Sequence, residues 1–344
     1  MKNRREFLKV GTFAVGGIVA APYIIGSASA KPVQLRVQTI LGAGTISTTQ
    51  FEEFGALMKK QTDGEIDIVT LPLGSVVQAP DTLDACRNGI LDGQYTSPVY
   101  FAGKNPAFAV LGDTLSLYPD PATRDKWFVD GDGLKLAQQV YGPAGVHFVG
   151  PVFWPAESMP MRKPIRSLED FKGLKVRAPE GLVGDLLKSL GVSIVTLPFP
   201  EVANALQTGV LDGADMAALL LNLETGIHPT AKYSLLAKHS APVIELSFSQ
   251  AKWKTISPKL QKRITEEFAA FSERQRILYT EKDGEARKKA AAMGVELTEL
   301  SAADYAKLRE ASLSIINTWG KRNKLAGSIV ESHRTYMKKT GLLN

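Results

Sequence analysis

The chain has 344 residues, 44% of them apolar and 22% charged, with a net charge of +6 and one cysteine. That length allows about two domains with real cores, and a lone cysteine excludes both an internal disulfide and a thiolate metal cluster. Lys2, Arg4, Arg5 and Lys9 against Glu6 put half of the net charge into the first 30 residues, and no basic stripe alternates with aromatics, which excludes an electrostatic case for nucleic acid.

Residues 1–30 read as an export signal: basic residues, the apolar run VGTFAVGGIVAAPYIIG, then Ala28-Ser29-Ala30 as the cleavage site. The Arg4-Arg5 pair ahead of Phe7-Leu8-Lys9 is of the twin-arginine type. The expected location is the periplasm, with cleavage after Ala30. From Pro32 the pattern is strand, helix, strand: a strand over 33–40, an amphipathic helix over 47–64, a strand over 65–71, a short helix, and a strand near 94–97. A helix around 123–142 leads to a strand over 146–154. A second unit follows, with a strand over 173–178, a helix over 181–191, a strand over 192–198 and another short helix. Residues 241–249 suit a strand returning to the first unit. The tail from Pro258 reads as helical, broken at Gly284 and Gly294.

Both short helices belong to one repeated segment. PDTLDACRNGILDG (80–93) and PEVANALQTGVLDG (200–213) align without a gap, sharing Pro, Ala, Gly and Leu-Asp-Gly. Each copy has proline at a helix start, a glycine stop and an entry into a strand. Copies 120 residues apart do not make a solenoid; they imply two similar α/β lobes with mostly parallel sheets and a cleft between them. In such sheets ligands gather beyond the carboxyl ends of strands.

Candidate site residues therefore sit just after strands. Arg177 ends the strand in GLKVRAP, where a guanidinium can grip a carboxylate through two parallel bonds; the bland alternative is an exposed pair with Glu180. Asp215, among small and apolar residues, could hold an amine or a metal, or cap the next helix. Glu157 follows the strand 146–154, and Glu245 interrupts the apolar run VIELSF, where a buried carboxylate needs a partner. Trp154 and Phe199 stand at strand ends and could wall a pocket. Cys86 reads as a small buried apolar residue. No two histidines have ligand spacing, and no dinucleotide fingerprint, nucleophile elbow, HExxH or P-loop occurs.

Three stretches, VYFAGKNPAF (99–108), SLEDFKGLKVRAP (167–179) and PFPEVANALQTGVLDGADM (198–216), together resemble the periplasmic solute-binding proteins of TRAP transporters, the DctP-like family of the tripartite ATP-independent class. The resemblance covers about residues 35–320. It implies an α/β, two-lobed periplasmic binding protein fold with the ligand cleft between the lobes and long C-terminal helices. The expected division is residues 31–154 with about 243–275 in the first lobe, and 155–242 with about 276–344 in the second. It also implies hinge closure on a small organic acid, delivery to the membrane permease subunits, and no enzymatic activity. The carboxylate-binding position falls on Arg177. Met216 stands where many members have asparagine, and Glu157 near where they have a second arginine, so the pocket is less cationic than a dicarboxylate site. The YFAGKNPA stretch is similar to the subgroup for 2-oxo or 2-hydroxy monocarboxylates, whose members can hold the acid through a metal. Glu157, Asp215 and Glu245 would then ligate a calcium or sodium ion bridging the solute, although no cofactor is required. Trp154, Phe199 and Met216 would form apolar walls. The alternatives are a zwitterionic, amine-bearing carboxylate, a periplasmic enzyme using Glu157 and Asp215, and a ligand sensor for a signalling receptor. A monomer or a homodimer is compatible with the family.

Overall fold

The repeated segment builds the same corner twice. Leu91 N–H returns to the Ala85 carbonyl and Leu211 N–H to the Ala205 carbonyl, around Gly89 (φ +73°) and Gly209 (φ +79°). Both glycines occupy the left-handed region that side chains disfavour. The next aspartate then clamps a neighbouring strand. Asp92 Oδ2 accepts Arg36 N–H at 2.9 Å, and Asp212 Oδ2 accepts Lys175 N–H at 2.9 Å. Their own N–H groups donate back to the Arg36 and Lys175 carbonyls at 3.0 and 2.7 Å.

The computed structural model describes residues 32–343; the export signal lies outside them. Eleven strands are described: β1 (Val33–Thr39), β2 (Ile66–Leu71), β3 (Gly93–Thr96), β4 (Val146–Val152), β5 (Met159–Met161), β6 (Lys175–Arg177), β7 (Ser193–Val195), β8 (Gly213–Ala214), β9 (Tyr233–Leu235), β10 (Ile244–Ser249) and β11 (Glu296–Thr298). They form two sheets, in the orders β2-β1-β3-β10-β4 and β11-β9-β5-β8-β6-β7. Read from opposite ends, the two follow one plan. A parallel trio (β2-β1-β3 or β7-β6-β8) receives an antiparallel strand from the other half of the chain, β10 or β5. The sheets are thus mixed rather than mostly parallel, because each lobe is completed by a crossing strand.

The repeat glycines make room for those crossings. A Cβ on Gly93 would lie 2.6 Å from the Phe248 ring and 2.8 Å from the Ser247 carbonyl. One on Gly213 would lie 2.2 Å from Met161 Sδ.

Gly131 splits the helix expected over 123–142 into Pro121–Asp130 and Gly133–Tyr141. The opposite happens in the tail. One helix runs from Pro258 to Ala292 straight through Gly284, and ends only before Gly294 (φ +70°). A mid-helix glycine costs about 1 kcal/mol, less than the packing of Ile264, Phe268, Phe271, Tyr279 and Ala286, all buried on one face. Phe268 and Phe271 join Phe51, Phe54 and Tyr95 in an aromatic core under the first sheet, whereas Ala286 and Ala290 pack with Leu219, Leu223 and Val295 at the second. The next helix, Ala302–Gly320, lies on Leu182–Ser189 and also on Pro106–Gly112 and Leu115–Leu117 of the first half. The last, Lys324–Lys339, packs on Pro106–Gly112 and Gly133–Tyr141, in the first half of the chain, although residues 276–344 were expected with the second lobe. Its Ala326, Ile329, Val330, Tyr336 and Met337 are buried there.

Candidate functional site

The carboxyl ends of both parallel trios face one cavity. Ser97, Val99 and Tyr100 follow β3, Trp154 follows β4, Arg177 closes β6, Phe199 follows β7, and Asp215 and Met216 follow β8; all line it. Glu157 and Ser240 enter from the two segments that join the sheets, which are hydrogen-bonded to each other through Glu157 N–H and the Ser240 carbonyl at 2.9 Å. Arg177, Glu157, Asp215, Met216, Trp154 and Phe199, spread between positions 154 and 216, are thereby brought together. Their expected position just beyond strand ends is where they lie.

Arg177 is buried and makes no pair with Glu180. Its Nη1 donates to the Asp215 carbonyl at 2.7 Å and its Nε to the Leu197 carbonyl at 3.2 Å, with the guanidinium carbon 5.9 Å from the Phe199 ring centroid. Both acceptors are neutral carbonyls, so the charge is held in place without being cancelled. Gln38, at the matching end of β1, bonds the loop after β2 in the same way, through the Val77 carbonyl at 2.8 Å. The second lobe has replaced that amide by a cation.

Facing Arg177 is a cluster of acids. Asp215 does not cap the next helix, Leu219–Asn222, whose N-cap residue Ala218 makes no side-chain capping bond; Asn222 Oδ1 accepts Ala217 N–H just before it at 3.1 Å. Asp215 Oδ1 accepts His239 Nε2–H at 2.6 Å, with both side chains buried. Asp113 accepts from the Ser240 hydroxyl at 2.6 Å and from Leu115 N–H at 2.7 Å. Burial raises the Asp113 carboxyl above its ordinary range. Burial, with the charges of Asp215 and Asp113, pushes half-buried Glu157 well up. Burial also raises the Tyr100 phenol, near Arg177 and Glu157. Burial thus favours the uncharged form of Asp113 and Glu157.

Glu157, Asp215 and His239 each offer a ligand atom within 4.8 Å of the others. Two carboxylates suit calcium or sodium, whereas the imidazole is a nitrogen donor that calcium seldom takes. Glu245, expected as a third ligand, is not brought to this cluster. Its Oε1 accepts from Gln94 Nε2 at 3.0 Å, Tyr141 hydroxyl at 3.1 Å and Ser247 hydroxyl at 3.3 Å, inside the first lobe. Its neighbour Ile244 faces the cavity instead, as strand alternation requires. Asp113, His239 and Ser240 escaped the sequence reading, since nothing periodic marks the loops that carry them. Cys86 is a buried free thiol, as expected. His333 stacks on Trp127 in the core, and half-buried His147 stacks on Trp253.

Two α/β lobes with charged side chains converging on one cleft make a site of the kind that holds a small solute. The description of the bacterial extracellular solute-binding proteins, family 7, matches residues 37–322, and the chain belongs to that family. A TRAP periplasmic solute-binding protein from Rhodobacter sphaeroides, solved in an apo open state, is 31% identical, with a TM-score of 0.71 over 90% of this chain and 99% of that one. One from Desulfovibrio salexigens with bound orotic acid gives a TM-score of 0.81 at 21% identity, over 90% of this chain and 100% of that one. A monocarboxylate 2-oxoacid-binding periplasmic protein from a Nostoc species is 29% identical over 201 residues, 57% of this chain. The match spans about half of that relative's length (51%).

Proposed function

We propose that the protein is the extracytoplasmic receptor of a TRAP transporter, that it binds a small monocarboxylate of the 2-oxo or 2-hydroxy type, and that it hands the acid to the membrane permease. The observation that carries this reading is the buried Arg177 guanidinium, oriented by two neutral carbonyls and open to the cavity. A bidentate carboxylate completes its hydrogen bonding. The Nostoc relative's 2-oxoacids fit a site with one arginine facing several carboxyls better than a diacid would. The export signal and twin-arginine pair point to the periplasm, and no described helix is long and apolar enough to cross a membrane.

Arg177→Ala should weaken binding of any acid solute by at least about 2 kcal/mol, roughly 30-fold. Calorimetry with a panel of 2-oxo and 2-hydroxy acids measures it; undiminished affinity would remove the reading. Solute recovered chemically unaltered after incubation separates a receptor from an enzyme using Glu157 and Asp215.

A second reading of the acid cluster concerns what it contacts. Glu157 and Asp215, with donor atoms close together, would hold either a calcium or sodium ion bridging the solute or an ammonium on the solute itself. Binding that is lost on chelation and restored by calcium supports the calcium bridge. Binding that follows sodium concentration supports the sodium one. Binding indifferent to both, and confined to amine-bearing acids, supports the zwitterion.

A further inference from the structure

Arg177 forms part of two cavities. The inner one, walled by Asp113, Glu157, Asp215 and Ser240, has a volume of about 40 Å³. A single water needs about 10–15 Å³ of such space, so the cavity admits a small group of a few heavy atoms. The outer one has about 410 Å³, within the roughly 300–1,000 Å³ of ligand pockets. Val99, Tyr100, Arg177, Pro179 and Phe199 border both. The outer walls are apolar and come from equivalent places in the two lobes: Leu73, Ala79 and Pro80 from the first, Leu197, Pro198 and Pro200 from the second. Its charged members, Asp81, Lys104 and Glu180, are exposed at the rim. Lys104 is engaged by Asp84, so the remaining rim charge is acidic and repels a second carboxylate.

Resting on the reading of Arg177 as carboxylate ligand, we propose that the outer chamber is a subsite for an apolar tail, and that the solute is a monocarboxylate with several carbons beyond its C2 substituent. The carboxylate meets the guanidinium between the chambers. The C2 substituent, or a cation it ligates, fills the inner space. The hydrocarbon lies between the two proline-rich walls, out of water.

The test is calorimetry on the protein with straight-chain 2-hydroxy and 2-oxo acids of three to eight carbons, and with the ω-carboxylated eight-carbon acid. The dissociation constant should fall about fourfold per added methylene over at least three additions, and the terminal carboxylate should cancel the gain. Leu73→Asp and Leu197→Asp, one from each lobe and each checked for an unchanged melting transition, should weaken the eight-carbon acid at least tenfold more than the three-carbon acid. Three-carbon acids that bind as tightly as longer ones, through Arg177, would overturn the tail subsite and leave the receptor standing. Variants that weaken short and long acids alike would overturn it too. No binding by any acid, or binding unchanged in Arg177→Ala, would overturn both.

Discussion

Arg177 shows how a fold holds a buried cation at the edge of a cleft. Its bonds to the carbonyls of Asp215 and Leu197 need the geometry of a planar fork. Arg177→Lys should therefore lose most of the affinity for an acid solute, within a few-fold of Arg177→Ala, although the formal charge is kept; titration of both variants checks this. Glu245 yields a different prediction. Burial raises its carboxyl from 4.5 to about 8. The folded state holds the proton more tightly than the unfolded one, so this group's stabilising contribution is complete below about pH 4.5 and is lost as pH rises through 8. Glu245→Gln should remove a slope worth a few kcal/mol between those limits; the melting-temperature difference from the wild type, followed from pH 5 to 9, measures it. Why Glu245 misled the sequence reading is also physical. Every residue of β10 is buried, so no alternation betrays which side chain faces the cleft. Arg177 and Asp215 were legible because strand ends mark them. His239 reaches Asp215 across 24 residues and Ser240 reaches Asp113 across 127, contacts that only folding makes.

The repeated corner was the most readable element, because its proline and its first glycine each answer a local backbone demand, and its aspartate recurs in both copies. Its last glycine was not explained by the turn. Gly93 and Gly213 are needed where a strand from elsewhere crosses, and sequence proximity carries no trace of that contact. The two should differ in tolerance. At Gly93 an added methyl meets an aromatic ring and a carbonyl, whereas at Gly213 it meets chiefly a flexible thioether. Gly93→Ala should cost about 1–3 kcal/mol and Gly213→Ala less; urea denaturation of the two variants ranks them. The three-residue strands β5, β9 and β11 were missed, whereas the equally short β6 and β7 were found because Gly173 and Gly191 open the apolar runs that carry them.

At the scale of the molecule, the C-terminal helices bind the halves together. The long helix packs under the first sheet and against the elements of the second, and the last helix returns to the first. The halves should therefore unfold in one cooperative transition. Near- and far-ultraviolet dichroism with coincident midpoints would support this, and two separated midpoints would refute it. Ile329, fully buried in the last helix, should cost about 2–5 kcal/mol when cut to alanine and shift that single midpoint rather than split it.

The anchoring of Arg177 has a temporal side. Both of its carbonyl partners belong to the second half of the chain, as the guanidinium itself does. Parting the lobes would leave its aim intact. On the proposed function, an arriving acid would meet a fixed cation on one half-site, and association would not wait for side chains to organise. Departure would require Asp113, Tyr100 and Trp154 to be drawn away first. Residence time would then be set by the opening of the lobes and capture by one lobe alone, so the rates of loading and release would answer to different parts of the molecule.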